Sequence, residues 1–297
     1  MYVRFVSVAQ LYMSVKINKK HIPLEKYWTI RMGVLDMIHG YDDINKFLAK
    51  QKDLGGDILA VKRASSVWKT NKPVDVDECG TLYRYLQFTS WKLNLNKKFI
   101  KRGTLVRRKV NSNPEIVNWK LKKLLELDGG TSQWASAAIL LGNTEKIKNP
   151  SFFLKKTIDA LKHWKERRKK GKKWEAQYDE LLLKQAQHFV NVLNSKSSTF
   201  VPTNPDDYCF ARAFGVVNRE YGEKHWPMIK HHESNRLVEM EKALKQAETG
   251  KVVTSKDHRV VQSLAMLYKT KGERVRFTHP EAVNKTWPQL WVFLKSL

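Results

Sequence analysis

Several short stretches of this chain carry groups that could grip a small polyanion and move protons on it. Asp128-Gly129-Gly130-Thr131-Ser132-Gln133 is the most specific of them. Two glycines allow a sharp turn. Three hydrogen-bonding side chains then stand at an expected helix start, where unpaired amides and the positive dipole end favour a phosphate or carboxylate. Taken alone, the same stretch reads equally as a helix cap. In Glu78-Cys79-Gly80-Thr81 with Arg84, the glycine permits an anion to approach, Thr81 can donate, and Arg84 follows on the same helix. His232-Glu233-Ser234-Asn235-Arg236 sets Glu233 and Arg236 three apart, on one face of a helix. A surface ion pair is the plainer reading of that spacing. Asp257-His258-Arg259 opens a further helix, where an arginine is a natural anion clamp and His258 alternatively a satisfied structural histidine. Lys26 through Arg31, and later Lys285, add cations. Together these are the groups a small phosphorylated acid needs: guanidinium and ammonium for its charge, and carboxylates to move protons.

The elements that must hold these residues follow from pattern. Short apolar stretches alternate with amphipathic ones, which predicts an α/β chain. Asp42-Asp43 can cap a helix bearing Ile44, Phe47 and Leu48 on one face, ending before Gly55-Gly56. Asp57-Ile58-Leu59-Ala60-Val61 reads as a strand. Asn113-Pro114-Glu115 predicts a helix start, with the helix running through Leu124-Leu125. Another helix is expected from Thr131 to Gly142. Leu237, Met240, Leu244 and Ala247 make one stripe, and Val260, Val261, Leu264 and Leu267 another. The run Lys165–Lys173, with seven Lys or Arg in nine positions, reads first as an exposed loop or helix end.

Composition narrows the class. At 297 residues with 42% hydrophobic and 11% aromatic residues, the chain can bury the cores of two domains and is not of the disordered type. Lys plus Arg number 55 against 29 Asp plus Glu, and a net charge of +26 suits anionic partners, whether nucleic acid, a membrane surface or phosphorylated metabolites. Cys79 and Cys209 are too few for a disulfide framework, and no Cys or His pair has zinc-finger spacing. Neither a signal-peptide core nor a membrane-spanning run is seen, so the expected setting is cytoplasmic.

In order and in much of their spacing, the charged stretches resemble the active-site motifs of the 5-enolpyruvylshikimate-3-phosphate synthase family. The family's lysine-to-arginine opening is similar to Lys26 through Arg31. Its Asn-Ala-Gly-Thr-x-x-Arg motif is similar to Glu78 through Arg84, and its strand-flanking arginine to Arg108, with Arg107 as the neighbouring option. Ser-Ser-Gln resembles Thr131-Ser132-Gln133, and proline-aspartate resembles Pro205-Asp206, with Asp207 beside it. The Lys-Glu-x-Asp-Arg motif resembles His232 through Arg236. Asp-His-Arg matches Asp257 through Arg259, and Lys-Thr-Phe-Pro resembles Lys285-Thr286-Trp287-Pro288. The resemblance spans residues 23 to 297 and is weakest between Lys155 and Thr203.

What the resemblance implies is an enolpyruvyl transferase. It would move the enolpyruvyl group of phosphoenolpyruvate to a hydroxyl of 3-phosphoshikimate or a related acceptor, release phosphate, and need neither metal nor organic cofactor. The implied fold is a two-domain inside-out α/β barrel of βαβαββ units, about five in place of six because the chain is shortened between Phe153 and Pro205. Residues 1–22 with 190–297 would form one domain and 23–189 the other, with the site in the cleft. Lys26, Asp206, Glu233 and His258 would be catalytic, with Asp206 as base and Glu233 with Lys26 moving the C3 proton. Phosphoenolpyruvate would be held by Lys26, Gly80, Thr81, Arg84, Arg108, Gln133, Arg236, Arg259 and Lys285. The acceptor would be held by Arg31, Thr131, Ser132, Gln133, Asp206 and His232.

The acceptor half departs from the family pattern. Tyr27 stands in place of a serine, Phe153 of a tyrosine and His232 of a lysine; another serine position falls near Pro150 and an asparagine position near Met228. Glu78 replaces an asparagine and adds negative charge to the donor half. These departures keep a second reading open, an inactive relative that binds a phosphorylated ligand. The basic run and ten tryptophans keep a third, a nucleic-acid binder. A reactive cysteine carried by a sister class in the loop matching Gly103–Val110 is missing from this sequence. The expected assembly is a monomer acting on small molecules away from membranes.

Overall fold

The structure, a computed structural model, describes residues 17–172, 174–232 and 234–297. Helices dominate: α1 (Lys26–Ile38), α2 (Asp43–Ala49), α3 (Gly56–Val67), α4 (Gly80–Lys92), α5 (Gly103–Arg107), α6 (Leu121–Leu124), α7 (Gln133–Leu140), α8 (Phe152–Lys169), α9 (Glu180–Leu193), α10 (Tyr208–Ala213), α11 (Arg219–His225), α12 (Arg236–Glu248), α13 (His258–Thr270) and α14 (Leu290–Lys295). Two strands, β1 (Val74–Asp77) and β2 (Phe99–Lys101), pair in parallel with Val74 opposite Phe99 and Asp75 opposite Ile100. The α4 helix carries the chain from one strand to the other, the crossover a parallel pair requires. The chain is thus an α/β mix weighted strongly to helix.

Among the described residues, two strands form the only sheet, and the expected barrel of βαβαββ units is not seen there. The physical reason is visible at the expected strand 57–61. Asp57 follows Gly55-Gly56 and stands in the first turn of α3, where its charge suits the helix dipole. Ile58, Ala60, Val61 and Ala64 are then buried at helical spacing. A five-residue apolar run fits either period, and tertiary packing chose the helix. The expected helix from Asn113 also divides. Asn113 accepts from the Glu115 amide as a cap should, but the turn over Pro114–Asn118 is of the 3₁₀ type and α6 begins afresh at Leu121. The helices over 43–49, 133–140, 236–248 and 258–270 lie where the apolar stripes put them.

One apolar core collects α1 through α8, with Met32, Val34, Leu35, Leu82, Trp134, Leu154 and Ala160 fully enclosed. Buried polar contacts fix the helices in this half. Asp36 of α1 accepts from Trp164 Nε1 at 2.8 Å and from Arg168 at 2.6 Å, both on α8, and from the Ile44 amide at 3.0 Å. A second core joins Ile22 to α9, α10, α13 and α14 around Phe189, Trp287 and Phe293. A third packs α12 against the opposite side of α13 through Leu237, Met240, Val260 and Leu264. Buried on both sides, α13 is the central post of this half.

The cores therefore change over between Trp164 and Leu182, ahead of the 189/190 boundary drawn from sequence. The two crossing strands of chain are tied there by Glu25 N–H to Gln177 C=O at 2.8 Å and Asp179 N–H to Pro23 C=O at 2.9 Å. The basic run forms the last turn of α8 and the residues after it, exposed apart from the buried Arg167 and the half-buried Arg168, and Lys173 lies outside the described residues. No helix among the described residues is long and apolar enough to cross a membrane.

Candidate functional site

Between the two halves lies a cavity of about 390 Å³. It is lined from one side by α1, the starts of α4 and α7, and α8, and from the other by segments 203–206 and 225–232, Arg236, His258 and Lys285. Lys26, Gly80, Arg84, Arg108, Gln133, Arg236 and Lys285 all border it, although they are spread across most of the chain. Arg259 stands directly behind, its guanidinium on Asp206 at 3.1 Å.

The glycine at position 80 opens α4, and a side chain there would press on two arginines. A Cβ would fall 3.0 Å from Arg84 Nη1 and 3.1 Å from Arg108 Nη1, so the absence of a side chain lets two guanidinium groups converge. Arg84 is buried and bonds Asp128 at 2.6 Å and Gln133 Oε1 at 3.0 Å. Gln133 in turn donates to Thr81 at 3.0 Å. Asp128 also takes Trp134 Nε1 at 2.9 Å and the Asn111 amide at 3.0 Å, which locks the Gly-Gly turn onto α4. Arg108 Nη2 donates to Thr104 at 2.7 Å. Glu78 reaches Thr104 and lies 3.6 Å from Lys285 Nζ, so the unexpected carboxylate has a cation facing it. Lys285 is brought in because the backbone at Gly55 lets its carbonyl approach; a Cβ there would stand 2.9 Å away. Lys26 faces Asp57 at 3.6 Å and lies 4.8 Å above the Tyr27 ring.

Asp206 is the hub of the opposite wall. Its carboxylate accepts from Tyr27 Oη, from Arg236 Nη1 at 2.9 Å and from Arg259 Nη2 at 3.1 Å. Burial opposes ionisation, but Arg259, Lys26 and Arg236 together hold this carboxyl well below the usual range. Burial, and then Asp206, drive the Tyr27 phenol well above its ordinary value, so it stays protonated and donates. Arg236 also binds Asp257 at 2.9 Å, and Asp257 caps α13 through the Arg259 amide at 2.9 Å. His232 Nδ1 meets Arg236 at 3.1 Å. Burial first and that guanidinium second push the imidazole down to about 3, so it is neutral. His258 begins α13 with Nδ1 3.9 Å from Asp257.

Four buried donor atoms around this cluster have no hydrogen-bond partner among the described residues: Arg108 Nε, Arg259 Nε and Nη1, and the Thr131 hydroxyl. Buried polar groups are nearly always paired, and an unpaired one costs about 1–3 kcal/mol. Of these, the Arg108 and Thr131 donors lie on residues that border the cavity, while Arg259 stands behind Asp206. At its edge Ser132 caps α7 in a left-handed conformation (φ 55°) with its side chain making no cap bond, so the hydroxyl is not consumed by the helix.

The expected acceptor residues fare differently. Arg31 borders the cavity but spends all three guanidinium nitrogens on the protein, on Thr157 Oγ1 at 2.7 Å, Tyr27 C=O at 2.9 Å and Phe153 C=O at 2.9 Å. It braces α1 to α8, with three of its five N–H donors held by the protein. Glu233, and with it the expected pairing with Arg236, lies outside the described residues; α12 begins at Arg236, with Asn235 as its cap. Arg107, the alternative to Arg108, is exposed and absent from the lining. Asp207, the alternative to Asp206, faces away and binds Gln185 at 3.0 Å and the Thr203 amide at 2.8 Å. Sequence reasoning missed Asp57 and Trp226. The first was hidden by the strand reading. The second sits in a stretch with no charge pattern to draw notice.

No group of three or more His, Cys, Asp or Glu side chains among the described residues is placed to hold a metal ion. Cys79 and Cys209 are buried free thiols. A scan against protein-family models finds no match, and neither a search of curated proteins nor one of solved structures returns a similar chain.

Proposed function

We propose that this protein is an enolpyruvyl transferase that takes phosphoenolpyruvate as donor and a hydroxyl compound as acceptor. The observation that carries the reading is the pair of buried, unpartnered donors on Arg108 and Thr131, gathered with Arg84, Arg236, Lys26 and Lys285 around one cavity, with the unpartnered Arg259 donors in the layer behind Asp206. A doubly anionic ester with a phosphate at one end and a carboxylate at the other supplies acceptors for the Arg108 and Thr131 donors and charge to face the surrounding cations. The +26 net charge would draw such an anion in. The reading carries over the family's site chemistry and not its barrel.

The acceptor's hydroxyl oxygen bonds to C2 as its proton passes to a base and C3 gains a proton, giving a tetrahedral ketal. The C2–O bond to phosphate then breaks with loss of a C3 proton, leaving the enolpyruvyl ether and inorganic phosphate. In this scheme Asp206 is the base and Lys26 stands near C3, with Glu233 and His258 as the further proton carriers. The free protein holds Asp206 in a poor state for that work, because two guanidiniums and a phenol occupy its carboxylate. Donor binding resolves this. A phosphoenolpyruvate that takes Arg236 and Arg259 for its own charges releases Asp206 and raises its basicity. Closing the halves over the ligands excludes water and strengthens each contact.

A second reading rests on that same grip: with its base occupied, the protein would bind a phosphorylated ligand without turnover. Incubation with phosphoenolpyruvate and a panel of hydroxy compounds, followed by phosphate release, decides between them. Release is expected from the native chain and from none of Lys26→Met, Asp206→Ala and Arg236→Ala. Release retained in all three variants removes the transferase assignment, and saturable binding of phosphoenolpyruvate with no release selects the second reading.

A further inference from the structure

The acceptor side of the cavity is built for a different molecule from a phosphorylated sugar acid. We propose that the acceptor is an uncharged alcohol carried on a flat aromatic body; this inference rests on the transferase reading above. Four observations converge on it. Arg31, the cation best placed to meet an anionic acceptor, has every donor nitrogen bonded to protein. His232, where a lysine would supply charge, is neutral. The wall between them is aromatic: Tyr27 and Phe153 lie 4.9 Å apart, Phe153 and Phe152 5.4 Å, and Trp226 with Met228 borders the cavity. Phe152, Phe153, Trp226 and Met228 are only partly covered or exposed, so apolar surface stands open to a ligand. Fourth, the Tyr27 hydroxyl donates to Asp206. It holds the place on the base that an acceptor hydroxyl must take, and the Tyr27 ring beside it defines a plane on which an aromatic body can stack.

Of the other cations bordering the cavity, Lys26 faces Asp57, Arg84 faces Asp128, Arg236 faces Asp206 and Asp257, and Lys285 faces Glu78, while Arg108 bonds Thr104 on the donor wall. A phosphate entering between Phe153 and Trp226 would give up its hydration for rings and a neutral imidazole, which is unfavourable. A flat neutral ring gains by the same transfer.

The test titrates phenyl β-D-glucopyranoside and, separately, shikimate 3-phosphate into the full chain by calorimetry, with and without saturating phosphoenolpyruvate. The glucoside is expected to bind with a Kd at least about tenfold lower than shikimate 3-phosphate, the scale of burying one aromatic face. Phe153→Ala and Trp226→Ala should each raise the glucoside Kd about tenfold while leaving the phosphoenolpyruvate Kd within about twofold. Tighter binding of shikimate 3-phosphate overturns the inference, as does absence of glucoside binding in both titrations or indifference to both substitutions. Failure of phosphoenolpyruvate itself to bind counts against the transferase reading instead, so the two failures are told apart.

Discussion

Asp206→Asn isolates the balance of charge on which the site is built. Asparagine keeps the size and one acceptor oxygen of the aspartate but removes the charge that Arg236 and Arg259 share. Arg236 retains Asp257 at 2.9 Å; the Arg259 side chain, with Nε and Nη1 already unpartnered, loses its carboxylate altogether. Removing one partner of a buried ion pair costs about 3–5 kcal/mol, because a desolvated charge is left behind. Inorganic phosphate should then restore much of the loss. A ligand that binds only the folded state adds about 2.7 kcal/mol at a hundred times its Kd. The affinity should itself rise, since the competing carboxylate is gone.

The assay is urea unfolding followed by tryptophan fluorescence, at constant ionic strength in chloride or in phosphate. The variant should unfold at clearly lower urea in chloride and recover in phosphate, while native protein gains less. Acid provides a check of sign. The Asp206 carboxyl is held below its unfolded value, so its stabilisation is complete above about pH 4 and fades as pH falls through the folded value; the variant should lack that part of the acid slope. A variant as stable as native protein in chloride, or one indifferent to phosphate, would show that this cluster neither stores charge strain nor binds anions.

Two further expectations follow from the same geometry. Gly80→Ala places a methyl 3.0 Å from Arg84 Nη1 and 3.1 Å from Arg108 Nη1. Phosphate affinity by calorimetry should fall about tenfold while helical propensity keeps the unfolding midpoint nearly unchanged; an unaltered Kd refutes the convergence of the two guanidiniums as the binding feature. Glu25 caps α1 through the Trp28 amide, and burial first, then the Asp179 charge, raise its carboxyl from 4.5 to about 7. Its contribution is therefore greatest below about pH 4.5 and is lost as pH rises through 7, on the order of 3 kcal/mol. Glu25→Gln keeps an acceptor for the cap, and its stability from pH 5 to 8 should be flatter than native; parallel curves contradict the assignment.

Local rules were legible in the residues themselves. Apolar spacing fixed α12 and α13, asparagine and aspartate marked the starts at Asn113 and Asp257, and the Gly-Gly turn before Gln133 was placed correctly, because each depends on contacts within a few positions of the chain. The order of charged motifs also nominated Lys26, Arg84, Arg108, Gln133, Arg236 and Lys285, all of which border one cavity. Tertiary packing decided what motif order could not. It turned 57–61 from strand to helix, since a short apolar run satisfies both periods. It withdrew Arg31 into the scaffold, because Thr157 and two carbonyls more than one turn away in sequence or on another helix offered its donors buried partners. It set Tyr27 against Asp206 across 179 positions of sequence. Whether a charged side chain serves the fold or a ligand depends on which distant groups reach it first, and that is a property of the assembled chain alone.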